Sequence, residues 1–224
     1  MTDFDALYED KYALMRVAKS VELGCVEPFM SVLDVGCNSQ EVRKLLPANC
    51  EYFGVDKDLY EGETYLIDFD GYFSVEREFD RVFCLETLEH LKWPRKTLKS
   101  IKKHLKPSSM LVVSLPNEAT LFHRLRSLCG VVDQECFSEK GKHLHLPSLE
   151  QARRFLTEEG FQILEEQFYI SKGAGSRQGW IGGILELVPD RILQLLADSL
   201  PSLFARGFIF KLRTSVESHE PSPH

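Results

Sequence analysis

The sequence lacks several features whose absence narrows its class. It has no run of about 18 apolar residues, so it predicts no membrane-spanning helix. Its six cysteines (25, 37, 50, 84, 129 and 136) include no C-x-x-C pair. In a chain of 224 residues that scatter reads as reduced thiols, not as a disulfide frame or a zinc ribbon. A basic surplus is missing as well: the net charge is −7 and the pI about 5.6. Proteins that track phosphate backbones carry such a surplus, so nucleic acid is not an expected partner. The opening residues, Met-Thr-Asp-Phe-Asp-Ala-Leu-Tyr-Glu-Asp, lack the charged-then-apolar layout of a secretory leader. The expected location is therefore cytoplasmic. No internal repeat or low-complexity tract occurs.

What is present suits a single globular domain. The hydrophobic fraction of 43% supports a sizeable core, and 27% charged residues is ordinary for a soluble chain. Periodicity predicts helices over 5–24, 39–46, 94–105, 119–128 and 148–159. It predicts strands over 31–35, 51–55, 64–67, 79–85, 110–115, 161–170 and 204–213. Pro94 opens one helix, Gly160 closes another, and Ser148 with Gln151 fits a capping box. Strands alternating with helices imply right-handed βαβ units and a mainly parallel sheet. The chain divides into an N-terminal helical segment (1–30), a ligand-binding half (31–117), a second half (118–213) with an apolar insertion (171–203), and a polar tail (214–224).

The most informative stretch is Val32-Leu33-Asp34-Val35-Gly36-Cys37-Asn38, followed by Phe53-Gly54-Val55-Asp56. These are two strands whose carboxyl ends flank a crevice of the kind that binds nucleosides in α/β folds. Gly36 lets the backbone approach a ligand without a Cβ in the way, and Asn38 tolerates a left-handed backbone. A helix starting behind the turn offers free N–H groups to an anion. Asp56, twenty residues after Gly36, is placed to accept both ribose hydroxyls. A dinucleotide fingerprint has glycines where this chain has Gly36, Asn38 and Glu41. Two are missing, which disfavours an NAD-dependent enzyme. Asp34 beside the turn suits a ligand ammonium. An amino-acid moiety joined to adenosine is S-adenosylmethionine.

These segments, VLDVGCN, YFGVD, YLIDFD, FDRVFCLETLEHL and HLKPSSMLVVSLPN, resemble the class I S-adenosylmethionine-dependent methyltransferases in order and spacing. The resemblance covers about residues 30–117 and extends more loosely to the C-terminus. It implies an α/β, Rossmann-like fold: a seven-stranded, mainly parallel, doubly wound sheet with an antiparallel last strand and helices on both faces. It implies S-adenosylmethionine as cofactor, with a small-molecule acceptor, lipid- or sugar-linked among the options. By the same resemblance Asp34 and Gly36 face the methionine part, Asn38 of the same loop is a cofactor-binding residue, and Asp56 binds the ribose. Asp68 meets the adenine amine and Phe69 the ring, while Leu85 and Glu86 flank the transferable methyl. The family's loop is often D-x-G-x-G-x-G, and here Asn38 and Gln40 replace its last two glycines. That departure motivates an alternative: a protein of this fold that binds without catalysing.

Three histidines are candidate catalytic bases: His90, His143 and His145. His90 follows the acid-rich segment after the fourth strand, and its alternative role is packing in a short helix. His143 and His145, two apart on an extended segment, point to one side. Only Cys136 and Glu139 stand near them in sequence as further ligands, so no metal is assigned. The seven Lys and Arg residues of 92–106 read as a solvated helix face. Arg124 and Arg126 are placed to meet an anionic group. The apolar run within 180–204 suits packing on the sheet, self-association or weak contact with a membrane surface.

Overall fold

The computed structural model describes residues 3–58, 64–130, 143–170 and 187–215, with side chains from residue 13 onward. Seven strands form one sheet: β1 (Ser31–Val35), β2 (Glu51–Asp56), β3 (Thr64–Leu66), β4 (Phe79–Leu85), β5 (Leu105–Pro116), β6 (Phe161–Tyr169) and β7 (Gly207–Thr214). Their spatial order is β3-β2-β1-β4-β5-β7-β6. The strands from β3 to β5 pair in parallel, and β7 runs antiparallel to both β5 and β6. This is the expected fold class. The chain winds outward from β1 in one direction and from β4 in the other. The switch point between them opens a crevice at their carboxyl ends.

Both faces of the sheet are covered, which is why β1 is buried at all five positions. Helix α1 (Asp3–Gly24) and the short α2 (Glu41–Leu45) cover one face, where Val17, Leu23 and Val42 join Val32, Phe83, Val112 and Ile209. On the other face α3 (Pro94–Lys103), α5 (Leu149–Glu158) and α6 (Asp190–Ser199) contribute Leu98, Ile101, Ala152, Leu156 and Leu193. They meet Leu33, Val82, Leu111, Phe208 and Phe210 from the sheet. The remaining helices are α4 (Leu121–Leu128) and α7 (Pro201–Phe204), with a single 3-10 turn at Leu88–His90.

Among the boundaries that differ from the sequence reading, three have a clear local cause. Helix α2 begins at Glu41, not Ser39, because Gln40 holds a left-handed backbone with φ 58°. Strand β5 begins at Leu105, where the helical pattern seemed to continue. Leu105 pairs with Phe79, and the Lys106 ammonium reaches the Asp80 carboxylate at 2.8 Å, so the polar residues there serve the sheet. Strand β7 begins at Gly207 because Pro201–Phe204 forms a helical turn first. The fully buried Asn117 side chain donates to the carbonyls of Pro201, Ser202 and Ala205 and holds that turn.

Of the apolar run within 180–204, residues 187–204 lie among those described and 180–186 outside them. Helix α6 buries Leu193 and Ala197 while Ile192 and Leu195 face solvent. Lys19 of α1 ties it down by donating to the Phe168 carbonyl and to Gln194 Oε1. Among the described residues no helix is long and apolar enough to cross a membrane.

The capping box at α5 forms as the sequence predicts. Ser148 Oγ accepts from the Gln151 amide, and Gln151 Oε1 accepts from the Ser148 amide. Ser148→Ala removes one of these bonds. It is expected to lower stability by about 1 kcal/mol, read as a lower urea midpoint at unchanged m-value, with Ser148→Asp restoring most of it.

Candidate active site

The turn after β1 is built on left-handed backbone. Gly36 has φ +76°, and a Cβ there would collide with the Thr87 side chain. Thr87 Oγ1 donates toward the carbonyls of Val35 and Leu85, so it stitches the ends of β1 and β4 together. The amides of Gly36 and Cys37 both donate to the Val55 carbonyl of β2, at 2.9 and 3.2 Å. Gly36 is thus required by a contact within the chain, in addition to any ligand. Asn38 and Gln40 hold φ values of 41° and 58°. The two substituted positions therefore keep a backbone that glycine adopts most easily.

The three cofactor-side acids follow the strand ends. Asp34 is buried at the end of β1 and accepts a 2.8 Å bond from the Tyr52 hydroxyl. Burial pushes its carboxyl up to about 7. The Tyr52 bond opposes the shift and nearby Asp56 adds to it. Asp56, at the end of β2, accepts from the Asn38 amide at 2.9 Å and from the Asp58 amide at 3.2 Å. Each of its oxygens retains a lone pair for another donor. Asp68 is exposed beyond β3 and accepts from the Asp70 amide. Phe69 departs from the sequence reading. It is 4% exposed, its side chain belongs to the core shared with α3, and its carbonyl accepts from Thr97. The aromatic ring is thus spent on packing.

A second group of titratable side chains gathers where β4, β5 and β6 end. After Leu85, Glu86 takes a left-handed backbone with φ 48°. Its Oε1 accepts from Ser114 Oγ at 3.0 Å and from the Tyr169 hydroxyl at 3.2 Å, and Arg16 lies 3.8 Å from Oε2. Glu89 is fully buried, and neither carboxylate oxygen has a hydrogen-bond partner among the described residues. Burial pushes its carboxyl up, and repulsion from Glu86 adds to the shift. Its Oε1 lies 3.8 Å from His90 Nε2 and 4.0 Å from His143 Nε2. The other nitrogen of His143, Nδ1, meets Glu118 Oε1 at 3.2 Å. That hydrogen bond, aided by Arg206 and His123, holds the Glu118 carboxyl below its usual range against the effect of burial.

The structure separates the two histidines that the sequence pairs. His143 joins His90, with ring centroids 4.9 Å apart. His145 turns away, its Nε2 at 2.8 Å from the Leu91 carbonyl. Cys136 and Glu139 lie outside the described residues. Arg124 is taken up by the carbonyls of Ala119 and Ser202, and Arg126 lies over the Phe122 ring. Sequence reasoning missed Thr87, Tyr52, Glu89 and Glu118. Glu118 had a signal, being an acid just past the end of a parallel strand. Beside Glu89 opens a cavity of about 730 Å³, walled by Leu88, Trp93, Leu115, Leu144 and Phe155, with Lys92, Arg95 and Arg154 also lining it.

The strand order and this crevice define the architecture of the S-adenosylmethionine-dependent methyltransferases. A family model described as a methyltransferase domain matches residues 12–166, and the chain belongs to that family. No curated protein matches it by sequence. Among the solved structures that share its fold are three examples. An S-adenosylmethionine-dependent methyltransferase from Clostridium acetobutylicum is 13% identical, with 93% of this chain and 92% of that one covered and a TM-score of 0.55. Magnesium protoporphyrin IX methyltransferase from Synechocystis, solved with bound SAH, is 14% identical over 96% and 89%, with a TM-score of 0.58. The [4+2]-cyclase SpnF is 16% identical over 91% and 81%, with a TM-score of 0.57.

Two stability predictions follow from this geometry. Gly36→Ala places a Cβ on a left-handed backbone and against Thr87. It is expected to cost at least about 2 kcal/mol in denaturant unfolding. Adding Thr87→Ala should recover only part of this, because the backbone strain persists. Folded Asp34 keeps its proton up to about pH 7, whereas the unfolded chain releases it near pH 4. The stability this group contributes therefore falls as pH rises between those values. Asp34→Asn should raise the melting temperature by several degrees at pH 8 and by little at pH 4, as calorimetry would record.

Proposed function

We propose that the chain is an S-adenosylmethionine-dependent methyltransferase acting on a small-molecule acceptor. The observation that carries this reading is the row of carboxylates at the ends of three adjacent parallel strands. Asp34, Asp56 and Asp68 fit, in order, the ammonium, the ribose hydroxyls and the adenine amine of that cofactor. The loop that departs from the family pattern still holds its left-handed shape at Asn38 and Gln40, which supports a working crevice over a vestigial one. The chemistry is an in-line displacement at a sulfonium methyl, and the protein's contribution is alignment of donor and acceptor.

The acceptor side suits an amphiphilic molecule, lipid-linked acceptors included. The cavity beside Glu89 has apolar walls, and Lys92 among its lining residues suits an anionic end group, Arg95 being paired with Glu158 and Glu159 and Arg154 with Glu158. His90 and His143 lie beside Glu89, while His145 is bound to main chain. The second reading, a binder of this fold without methyl transfer, draws on SpnF, a cyclase by name.

Calorimetric titration with S-adenosylmethionine tests the cofactor assignment. Wild type is expected to bind one equivalent, and Asp56→Ala to bind at least about tenfold more weakly, the cost of a lost charged hydrogen bond. Unchanged affinity in the variant would refute the ribose contact. Transfer of labelled methyl to a cell-extract component, identified by mass, separates the enzyme from the silent binder.

A further inference from the structure

We infer that Glu89, His90 and His143 form a binding site for one divalent transition-metal cation at the acceptor end of the crevice. One ligand atom from each residue lies within 4.8 Å of the others. Two histidines and one carboxylate, leaving positions open for water or substrate, form a common metal ligand set. Metal bonds of about 2.0–2.2 Å put tetrahedral ligands roughly 3.4 Å apart. The spacings from Glu89 Oε1 to the two Nε2 atoms, 3.8 and 4.0 Å, are within a few tenths of an ångström of that value, and the two histidine ligand atoms lie within 4.8 Å of each other.

Two further observations point to a cation. Glu89 is fully buried with both carboxylate oxygens aimed at no hydrogen-bond donor among the described residues. Stranding a carboxylate in this way is costly unless a proton or a cation neutralises it, and the two imidazole nitrogens facing it suit a cation. The neighbouring acids are served differently: Arg16 stands by Glu86 and Arg206 by Glu118, each at 3.8 Å. Secondly, His143 donates its Nδ1 proton to Glu118. That leaves the lone pair on Nε2, the nitrogen facing Glu89. A carboxylate that fixes the tautomer of a ligand imidazole is the usual outer support of a metal site.

The cation's role rests on the methyltransferase reading; its binding does not. With an acceptor hydroxyl in an open position, the metal acidifies the O–H bond, and its proton is released to water. The oxygen then bonds the methyl carbon as the carbon–sulfur bond breaks, its electron pair staying on sulfur. The products are a methyl ether and S-adenosylhomocysteine. Metal dependence would thus mark an oxygen acceptor.

The test uses the full chain stripped with chelator, then titrated with Mn²⁺ and Zn²⁺ by calorimetry, with Mn²⁺ paramagnetic resonance as a second readout. One equivalent is expected to bind. Glu89→Gln and His143→Gln should each weaken binding at least tenfold, while His145→Gln leaves it unchanged. His143 is partly exposed, so its variant remains informative if the buried Glu89 change impairs folding. No stoichiometric binding by wild type, or equal affinity in His143→Gln, overturns the site. Metal binding in a chain that fails to bind S-adenosylmethionine would sink the methyltransferase reading and leave the site standing. Methyl transfer unaffected by chelator would remove the cation's proposed role.

Discussion

Thr87 pressed against Gly36 is the contact on which the crevice depends. The two loops it joins follow different strands of the sheet. One follows β1, beside Asp34, and the other follows β4 and carries Glu86, Glu89 and His90. Because Thr87 also bonds the carbonyls of Val35 and Leu85, the two loops cannot slide independently. Gly36 and Cys37 extend the lock to β2 through the Val55 carbonyl. Three strand ends are therefore fixed by main-chain groups before any ligand enters. That is the preorganisation a displacement reaction needs, since its rate depends on alignment far more than on any single charged group.

The site is acidic, and its acids are divided by environment. Buried Asp56 and exposed Asp68 each accept main-chain amides. Asp34 and Glu89 are buried as well, and burial raises both. The difference matters chemically. A carboxyl stabilised by amides is a ready acceptor for hydroxyls and amines, whereas a carboxyl held away from water by apolar walls favours a proton or a cation at its side. Net charge alone, −7 for the chain, conveys none of this partition.

Much of the fold was legible because β1, β2 and β4 are short apolar runs ending on acids, and a parallel buried sheet demands such runs. The acids proposed for the cofactor were visible for the same reason, Asp34 next to last in β1, Asp56 the last residue of β2 and Asp68 two residues past β3. Three kinds of feature were not. Phe69 sits beside an acid in sequence, yet its burial in the core is decided by α3 thirty residues away. Strand β5 begins in a lysine-proline-serine segment whose helical look gives way to pairing with Phe79 and to the Asp80–Lys106 contact. The Glu89, His90 and His143 cluster joins segments more than fifty residues apart, and the local pattern suggested a His143–His145 pair that the Leu91 carbonyl dissolves.

Asn38 and Gln40 have a thermodynamic meaning beyond their place in the loop. A glycine at either position would leave the unfolded chain many more conformations to lose. Residues with side chains narrow that freedom at the cost of about 1–2 kcal/mol of left-handed strain each. The loop thus exchanges entropy in the disordered chain for strain in the ordered one. Such a loop is expected to be stiff, and to favour one ligand shape over a range of nucleotides.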